Sequence, residues 1–372
     1  MEYFKHSKMN KKQIGILTFH YAVNPGSALQ AFGLCETINA LKQNVECHII
    51  NYQGTNYRNL FVKFPQKPTM TGLALWYFTS LWYRRYQMFW RDMKNVLKPK
   101  HRLDEKELAG IKGYDYIIVG SDQVWNTQLT NRNYNFFLPF VSGVKKISYA
   151  ASIGLQDFPE EDKHDVSVFL KDFSCISVRE PSAQTAIENL VGKPAPVVID
   201  PSLLLKKDRY ENFSIRPRLK KKYIFLYLRH KDSQIVHYAK EMAETLGLQI
   251  VECHNGVRKV LKNSIIVRQP DPRKWLGWIL DAEYVFTDSF HGCAFCINLN
   301  KPFYVMISSA NSEMSSRIFN ILDRYQMTDR MIAEQSDLMA MRDMNFDYSN
   351  KMLEHDRQDA IAYLKAALDL NE

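Results

Sequence analysis

Long apolar segments and cysteine are two features that this sequence has little of. No run approaches the roughly 20 apolar residues of a membrane-spanning helix, and the polar stretch Met1–Lys12 lacks the apolar core of a signal peptide. Six cysteines in 372 residues are too few and too irregularly placed for a disulfide scaffold. These absences predict a soluble, cytoplasmic protein with reduced thiols.

Nucleotide-binding and metal-binding motifs are also missing. The sequence has no G-x-x-x-x-G-K-[ST] phosphate loop and no G-x-G-x-x-G after its first predicted strand, so an ATPase or a nicotinamide-dependent enzyme loses its main support. Cys293 and Cys296 have C-x-x-C spacing, but they lie in an apolar helical run without a second pair. We interpret them as core residues rather than zinc ligands and expect no metal and no cofactor.

Acidic residues are scarce in one part of the chain. The formal net charge is +9, and between residues 53 and 100 nine Lys and Arg side chains stand against one acidic residue, Asp92. Almost all of the positive excess is therefore local. A nucleic-acid-binding domain would spread its cations over a fold or carry a recognition motif, and the sequence shows neither. We expect no nucleic-acid partner.

The order of apolar runs predicts an α/β protein with two domains. Short apolar runs, typical of strands buried on both faces, alternate with helical patterns in both halves of the chain. The predicted organisation is a doubly wound, Rossmann-like domain over 1–205 that contains a helical insertion at 54–110, a second such domain over 206–345, and a C-terminal helix over 346–372. The predicted strands are Gln13–Phe19, Val45–Tyr52, Tyr116–Val119, Lys146–Ala150, Cys175–Val178, Val197–Ile199, Tyr223–Leu228, Gln249–Cys253, Tyr284–Phe286 and Phe303–Met306.

Polar residues follow most of the predicted strands. Ligands of open parallel sheets bind beyond the carboxyl ends of the strands, so these residues would line one cleft if the two sheets face each other. They are His20, Asn24, Gly120–Gln123, Ser152, Arg179–Glu180 and Asp200–Pro201 in the first half, and Arg229 and Ser289–Gly292 in the second.

Each of these motifs also has a purely structural interpretation. Asp200–Pro201 can start a turn, Ser121 and Asp122 can cap a helix, and Arg179–Glu180 can be a local ion pair. His291 precedes an apolar helix, where it can be a buried, hydrogen-bonded side chain or a functional one. The residues alone leave these alternatives open.

Taken in order, the same residues make the sequence resemble the polysaccharide pyruvyl transferase family. The resemblance covers most of the chain outside residues 54–110, and the order of the segments is more specific than any one of them. The segments are Ile14–His20, Asn24 with Gly26–Gln30, Tyr116–Asn126, Ile147–Gly154, Ile176–Glu180, Val198–Pro201 and Asp288–Gly292, followed by Arg317.

The resemblance implies a GT-B-like fold, in which two Rossmann-like domains face a cleft. It also implies transfer of a pyruvyl group from phosphoenolpyruvate to a sugar of a surface or capsular polysaccharide precursor as a ketal, with release of phosphate. Without a phosphate loop, arginines and helix N-termini would neutralise the donor, and a group titrating near neutrality would move the proton. On this hypothesis the catalytic residues are His291, Asp122 and Arg179, the donor-binding residues are Arg179, Arg229, Ser289, Gly292 and Arg317, and the acceptor-binding residues are His20, Asn24, Ser121 and Gln123.

One position departs from part of the family. Some members have an arginine two residues before the motif histidine, where this chain has Ser289, and others share the Ser-Phe-His-Gly version seen here. Either Arg229 or Arg317 supplies the missing cation, or the donor differs.

The insertion suggests where an acceptor could be met. Between residues 70 and 98, Trp76, Trp82 and Trp90 alternate with basic residues on a predicted helix. Such a helix can lie on an anionic membrane surface, at the inner face of the membrane, and reach a lipid-linked oligosaccharide. Alternatively, the aromatic residues pack on the first domain and the cations stay solvated.

Two other functions remain open at the level of the sequence. A nucleotide-sugar glycosyltransferase would share the two-domain architecture but bind a nucleotide diphosphate. A non-catalytic carbohydrate- or membrane-binding module of a polysaccharide-assembly complex would bind neither donor. The sequence does not specify the acceptor sugar, the ketal position or the oligomeric state.

Overall fold

A computed structural model describes residues 11–53, 87–229, 233–254, 261, 263–268, 271–306, 312–333 and 336–370. Within these ranges the chain forms two parallel β-sheets that are connected by helices. This arrangement confirms the predicted α/β class with two Rossmann-like domains.

The first sheet has four parallel strands in the order β2-β1-β3-β4. They are β1 (Lys12–Leu17), β2 (Val45–Ile49), β3 (Tyr116–Val119) and β4 (Lys145–Ser148). All four residues of β3 are buried, as expected for a strand covered on both faces. The predicted strands at 175–178 and 197–199 join this sheet only through single bridges. Pro196 lacks an N–H group, which limits a continuous ladder there.

The second sheet has five parallel strands in the order β7-β6-β5-β8-β9. They are β5 (Tyr223–Leu228), β6 (Gln249–His254), β7 (Ile265–Val267), β8 (Tyr284–Thr287) and β9 (Phe303–Val305). Numbered within the sheet, this order is 3-2-1-4-5, the arrangement of dinucleotide-binding folds. The short strand β7 was not predicted, because its three residues are too few to show a pattern.

Helices of very different length connect and cover these strands. In the first half they are α1 (Pro25–Leu41), α2 (87–97), α3 (Glu105–Ala109), α4 (Glu160–Lys171), α5 (Pro181–Val191) and α6 (Lys207–Phe213). In the second half they are α7 (Ser233–Leu246), α8 (Pro272–Asp281), α9 (Phe290–Leu299), α10 (Ser312–Arg324) and α11 (Asp347–Ala367). Both Cys293 and Cys296 are completely buried in α9, which confirms that they are core residues.

The described end of the insertion packs on the first domain. Phe89 and Met93 of α2 are buried in the core, and the ring of Trp90 lies 5.6 Å from that of His20. Trp76 and Trp82 lie outside the described residues, so contact of residues 70–98 with a membrane stays a prediction. Among the described residues, no helix is long and apolar enough to cross a bilayer.

A buried arginine of α11 joins the two halves of the protein. Arg357 donates from Nε to the carbonyl oxygen of Leu203 at 2.8 Å and from Nη2 to Oδ1 of Asn298 at 2.9 Å. Asn298, on α9, donates in turn to the carbonyl oxygen of Ser202 at 3.0 Å. The 3₁₀ turn Pro201–Leu203 of the first half is thereby fixed against α9 of the second.

We predict that Gly33→Ala destabilises the protein by about 1–3 kcal/mol, a typical cost of overpacking a well-packed core. Gly33 lies on α1 against the same turn, and a Cβ there would overlap the carbonyl oxygen of Pro201. Urea unfolding measures the effect. Gly110→Ala is the matched control, because its Cβ would meet nothing nearer than 3.7 Å, and it should change stability by less than about 0.5 kcal/mol. Equal stability of the two variants would contradict the tight contact.

Candidate functional site

The loops at the carboxyl ends of the strands meet between the two domains. Each sheet has a point at which the direction of the strand order reverses. This point lies between β1 and β3 in the first sheet and between β5 and β8 in the second. Asp122 follows β3 and His291 follows β8. A Cβ on Gly26, in the first turn of α1, which follows β1, would overlap the His291 ring. The two crevices, where ligands of such sheets bind, are therefore in direct contact.

Asp200 is the centre of a buried polar cluster at this junction. Its Oδ2 accepts hydrogen bonds from Nη1 of Arg179 at 2.9 Å and from Oγ of Ser121 at 3.0 Å, and its Oδ1 accepts from the backbone N–H of Ser202 at 2.9 Å. Nε2 of His291 lies 4.0 Å from Oδ1. Burial would raise the pKa of Asp200, but His291, Arg179 and the bonds from Ser202 outweigh it and lower the pKa.

Arg179 contributes a buried cation, and some of its N–H groups are not hydrogen-bonded. Its side chain is 3% exposed, its guanidinium lies 4.7 Å from the ring centroid of Phe290, and Nη2 is 3.7 Å from Oε1 of Glu180. Burial opposes the charge, but the carboxylates of Glu180, Asp200 and Asp122 raise the pKa of Arg179. Nε and Nη2 have no hydrogen-bond partner. These two N–H groups are available to an anionic ligand.

His291 is buried near the start of α9, and its Nε2 has no hydrogen-bond partner. Burial lowers the pKa of His291 below its ordinary value; Asp200 and Asp122 counteract this effect, whereas Arg179 and Arg229 add to it. The His291 ring is therefore neutral in most molecules at pH 7. A negatively charged ligand beside the ring would favour its protonation.

Asp122 is the second carboxylate of the cluster. Its Oδ2 accepts from Oγ of Ser27 at 2.8 Å and its Oδ1 from the backbone N–H of Gln123 at 2.9 Å. Burial would raise the pKa of Asp122, but Arg179, His291 and the hydroxyl of Ser27 lower it. Asp122 is thus ionised at neutral pH and can accept a proton or a hydrogen bond from a hydroxyl group.

Two of the predicted donor-binding residues shape the turn that carries His291. Oγ of Ser289 caps α9 by accepting from the backbone N–H of Gly292 at 3.4 Å. A Cβ on Gly292 would overlap the Thr287 side chain. Ser289 and Gly292 therefore place the histidine through helix capping and close packing.

The other two predicted donor-binding residues are Arg317, which lines a cavity, and Arg229, which is exposed. When the Gln123 amide oxygen faces Arg317, it accepts from Nη1 at 2.9 Å and from Nη2 at 3.2 Å, which links the loop after β3 to α10. Arg229 is exposed, and its backbone N–H donates to Oδ1 of Asp288 at 2.6 Å. Arg317 and Arg179 line the same cavity, although they are far apart in the sequence.

The remaining predicted acceptor-binding residues make internal hydrogen bonds. Asn24 caps α1 by accepting from the backbone N–H of Gly26 at 3.0 Å. Ser121 is buried, and its one hydroxyl proton is shared between two acceptors, Oδ2 of Asp200 and the carbonyl oxygen of Ala150. His20 is also buried, with Nδ1 3.0 Å from the Thr18 carbonyl oxygen and Nε2 3.3 Å from Oδ1 of Asn51. Burial lowers the pKa of His20.

A cavity of about 450 Å³ opens beside the cluster, between the first domain and the helices α10 and α11. Arg179, Glu180 and Asp200 line it from the first half, and Phe290 and Arg317 from the second. Its volume lies within the range of small-ligand sites. Of the cluster, Arg179, Glu180 and Asp200 line the cavity, and His291 lies behind them, with its Nε2 4.0 Å from Oδ1 of Asp200.

Sequence reasoning missed the central role of Asp200. The sequence offered a turn as one interpretation of Asp200–Pro201, and Asp200 does cap the 3₁₀ turn, but the same carboxylate holds Arg179. Glu180, also omitted from the predicted site, accepts from the Ser152 hydroxyl. Both residues belong to segments that resemble the family, and this was the signal available for them. Among the described residues, no group of three or more His, Cys, Asp or Glu side chains could hold a metal ion.

The sequence profile of one family, described as Polysaccharide pyruvyl transferase, matches residues 24–310. The match includes strands β2 to β9 and every residue of the cluster; β1 precedes it. The chain belongs to the polysaccharide pyruvyl transferase family. No curated protein sequence matches this family member.

Solved structures of low sequence identity resemble this pyruvyl transferase family member over nearly the whole chain. MnaA of S. aureus, solved with UDP, has a TM-score of 0.48 at 12% identity, covering 97% of both chains. A UDP-GlcNAc 2-epimerase of Neisseria meningitidis, bound to UDP-GlcNAc, has a TM-score of 0.44 at 11% identity, covering 96% of this chain and 93% of its own. MurG of Acinetobacter baumannii has a TM-score of 0.40 at 10% identity, covering 96% and 98%. These similarities carry no information about what this chain binds.

We predict that Asp200→Asn lowers the pKa of His291 further. The Asp200 carboxylate opposes the effect of burial on the histidine, so its removal strengthens the downward shift. Asparagine retains an oxygen that can accept from the Ser202 N–H, which favours an intact turn. NMR titration of the histidine ring protons measures the pKa, and His291→Ala assigns the resonance.

Asp162→Asn is the matched control for this titration. Asp162 is an equally buried carboxylate of the first domain, bonded to Arg132 at 2.6 Å and to Thr127 at 2.6 Å. Its replacement should leave the His291 titration unchanged. A His291 curve that is the same in Asp200→Asn and in the wild type would show that the two groups do not interact.

Proposed function

We propose that this protein transfers a pyruvyl group from phosphoenolpyruvate to two hydroxyl groups of one sugar, forming a ketal and releasing phosphate. The observation that carries the proposal is the buried guanidinium of Arg179, whose Nε and Nη2 lack a partner and which lines the same cavity as Arg317. Membership of the pyruvyl transferase family supports the reaction class.

Phosphoenolpyruvate fits this end of the cavity by charge. It combines a carboxylate with a phosphate that carries about −1.5 to −2 near pH 7. Two arginines offer planar forks of N–H donors, which match carboxylate and phosphate oxygens. The cavity thus gives a physical reason to assign the cation that Ser289 does not supply to Arg317 rather than to the exposed Arg229.

The proposed chemistry has two steps. In the first, a sugar hydroxyl oxygen bonds to C2 of phosphoenolpyruvate, and the methylene carbon gains a proton and becomes a methyl group. In the second, a neighbouring hydroxyl of the same sugar bonds to C2 and the C2–O bond to phosphate breaks. One hydroxyl proton balances the methyl group and the other leaves with the phosphate, so the reaction needs no oxidant or reductant.

The cluster offers groups for both proton transfers. His291, protonated more readily when the donor trianion is bound, is our choice for the proton that reaches the methylene carbon. Asp122, whose pKa lies below its usual range, remains ionised and is our choice to accept the proton of the attacking hydroxyl. Because the acid must be protonated, turnover should fall as pH rises through the pKa of His291 in the complex.

Two other functions give different results in the same experiments. A GT-B-type glycosyltransferase should be stabilised against heat by UDP- or GDP-sugars, and a non-catalytic binding module by none of these donors. The proposed enzyme should be stabilised by phosphoenolpyruvate. Mass spectrometry of acceptor glycans after incubation with phosphoenolpyruvate then tests the ketal directly. Stabilisation by nucleotide sugars alone would favour the glycosyltransferase.

The proposed acceptor is the sugar of a polysaccharide precursor, free or linked to a lipid. A lipid-linked acceptor would bring the protein to the inner face of the membrane, and residues 70–98 are the segment proposed to contact it. The buried face of α2 supports packing on the protein for the part of this segment that is described.

His291→Ala should lower kcat by about 10²–10⁴-fold, the usual contribution of general acid–base assistance. Phosphate release from phosphoenolpyruvate in the presence of an acceptor measures the rate. His164→Ala is the control, because His164 is an exposed histidine on α4, and its activity should equal that of the wild type. Unchanged turnover in a folded His291→Ala variant would remove His291 from the mechanism.

Arg179→Ala should weaken phosphoenolpyruvate binding by about 10–100-fold, which corresponds to about 1.5–3 kcal/mol for a hydrogen bond to a charged group. Titration calorimetry measures the affinity. Arg179→Lys keeps the charge but not the fork and should fall between the two; it also serves if loss of the cation beside Asp200 prevents folding. The exposed Arg216, paired with Asp281, provides a control as Arg216→Ala. Equal affinity in all variants would refute the assignment of Arg179 to the donor.

A further inference from the structure

The two ends of the interdomain cavity differ in chemistry. Arg179 and Arg317 lie at the inner end, next to the cluster. The lining farther along α10 and α11 includes Asn320, Asp323 and Tyr348. The cavity therefore has two arginines together with the carboxylates of Glu180 and Asp200 at its inner end, and polar, acidic and aromatic side chains near its exposed helices.

The charges of the outer end oppose an anion. Asp323 and Asp359 are both exposed carboxylates on the lining. The one arginine among the lining residues of this part, Arg324, donates from Nε to the buried carboxylate of Asp356 at 2.7 Å, so its charge is matched. The unpartnered N–H groups of Arg179 lie at the inner end, so the anionic donor is assigned there, and a neutral molecule with many hydroxyl groups suits the outer end.

Tyr348 supplies an apolar surface there. It lies in the first turn of α11, is 42% exposed, and lines the cavity together with the half-buried Met352. Tyrosine combines an apolar ring with a polar tip, which suits a partner that presents both C–H groups and hydroxyls. Side-chain amide and carboxylate oxygens at Asn320 and Asp323 can accept hydrogen bonds from those hydroxyls.

We propose that the outer end of this cavity, around Tyr348, Asn320 and Asp323, is the subsite that binds the acceptor as an uncharged pyranose. The inference rests on the proposed function, since it places phosphoenolpyruvate at the inner end. Ser121 and His20 were predicted to bind the acceptor, but their side chains contact other residues of the protein. A subsite at the outer end does not need them. Because the subsite is open, a longer glycan can extend away from the protein.

Saturation-transfer NMR tests the subsite with defined probes: the p-nitrophenyl β-glycosides of glucose, galactose, mannose and N-acetylglucosamine, with phosphoenolpyruvate present. At least one should receive saturation from the protein. Tyr348→Ala should reduce its affinity by about tenfold, and Tyr348→Phe, which keeps the ring, should stay within about twofold. Phe319→Ala is the matched control: Phe319 is an aromatic residue of α10 that is 46% exposed and is not among the lining residues, so affinity should not change.

Each outcome decides the inference. A bound glycoside that is weakened by Tyr348→Ala but not by Phe319→Ala supports the subsite. The inference is overturned if a glycoside binds the wild type and the Tyr348→Ala variant with equal affinity, or if none of the four probes binds. Stabilisation of the same variants by phosphoenolpyruvate is recorded in parallel by thermal shift. If that stabilisation persists, the donor site stands and only the acceptor subsite is refuted; if the wild type shows none, the proposed function fails instead.

Discussion

The burial of the Asp200 carboxylate is the constraint on which the rest of the site depends. A buried charge is tolerated only when opposite charges and hydrogen bonds compensate for lost hydration. Asp200 obtains this compensation from Arg179, Ser121 and the backbone of Ser202, all within the first half of the chain. The second half contributes His291, at 4.0 Å and without a hydrogen bond. The carboxylate is thus satisfied from one side only, and the histidine facing it keeps a free ring nitrogen for chemistry.

This geometry requires the two halves to keep a fixed relation. Arg357 and Asn298 hold the turn after Asp200 against α9, the helix that begins next to His291. The ring of Tyr210 on α6 also packs 5.1 Å from that of Phe295 on α9. An interdomain site of this kind is positioned by side chains some 60 to 150 residues apart in sequence. Motions that open the domains would separate His291 from the Asp200 carboxylate.

The sequence predicted the fold well because strands buried on both faces have a simple pattern. Val119 and Leu228 are the last residues of continuous apolar runs, and the polar residues that follow them in the sequence mark the carboxyl ends of the strands. The site was harder to predict, since a residue type does not reveal its partners. Asp200 fits a turn as well as a charge cluster, and it serves as both. His20 follows a strand as His291 does, yet its ring contacts Thr18 and Asn51.

The distribution of charged side chains makes the two ends of the cavity chemically different. A phosphate loop binds anions with backbone N–H groups, whereas here the candidates are the side chains of Arg179 and Arg317. Arg179 is already paired with Asp200, and this pair leaves two of its donors unused because the geometry engages only Nη1. The carboxylate thus orients the guanidinium and leaves Nε and Nη2 without a hydrogen-bond partner. The unpartnered N–H groups of Arg179 lie at the inner end, while the exposed carboxylates of Asp323 and Asp359 lie on α10 and α11, and this difference is the basis for assigning the proposed anionic donor to the inner end.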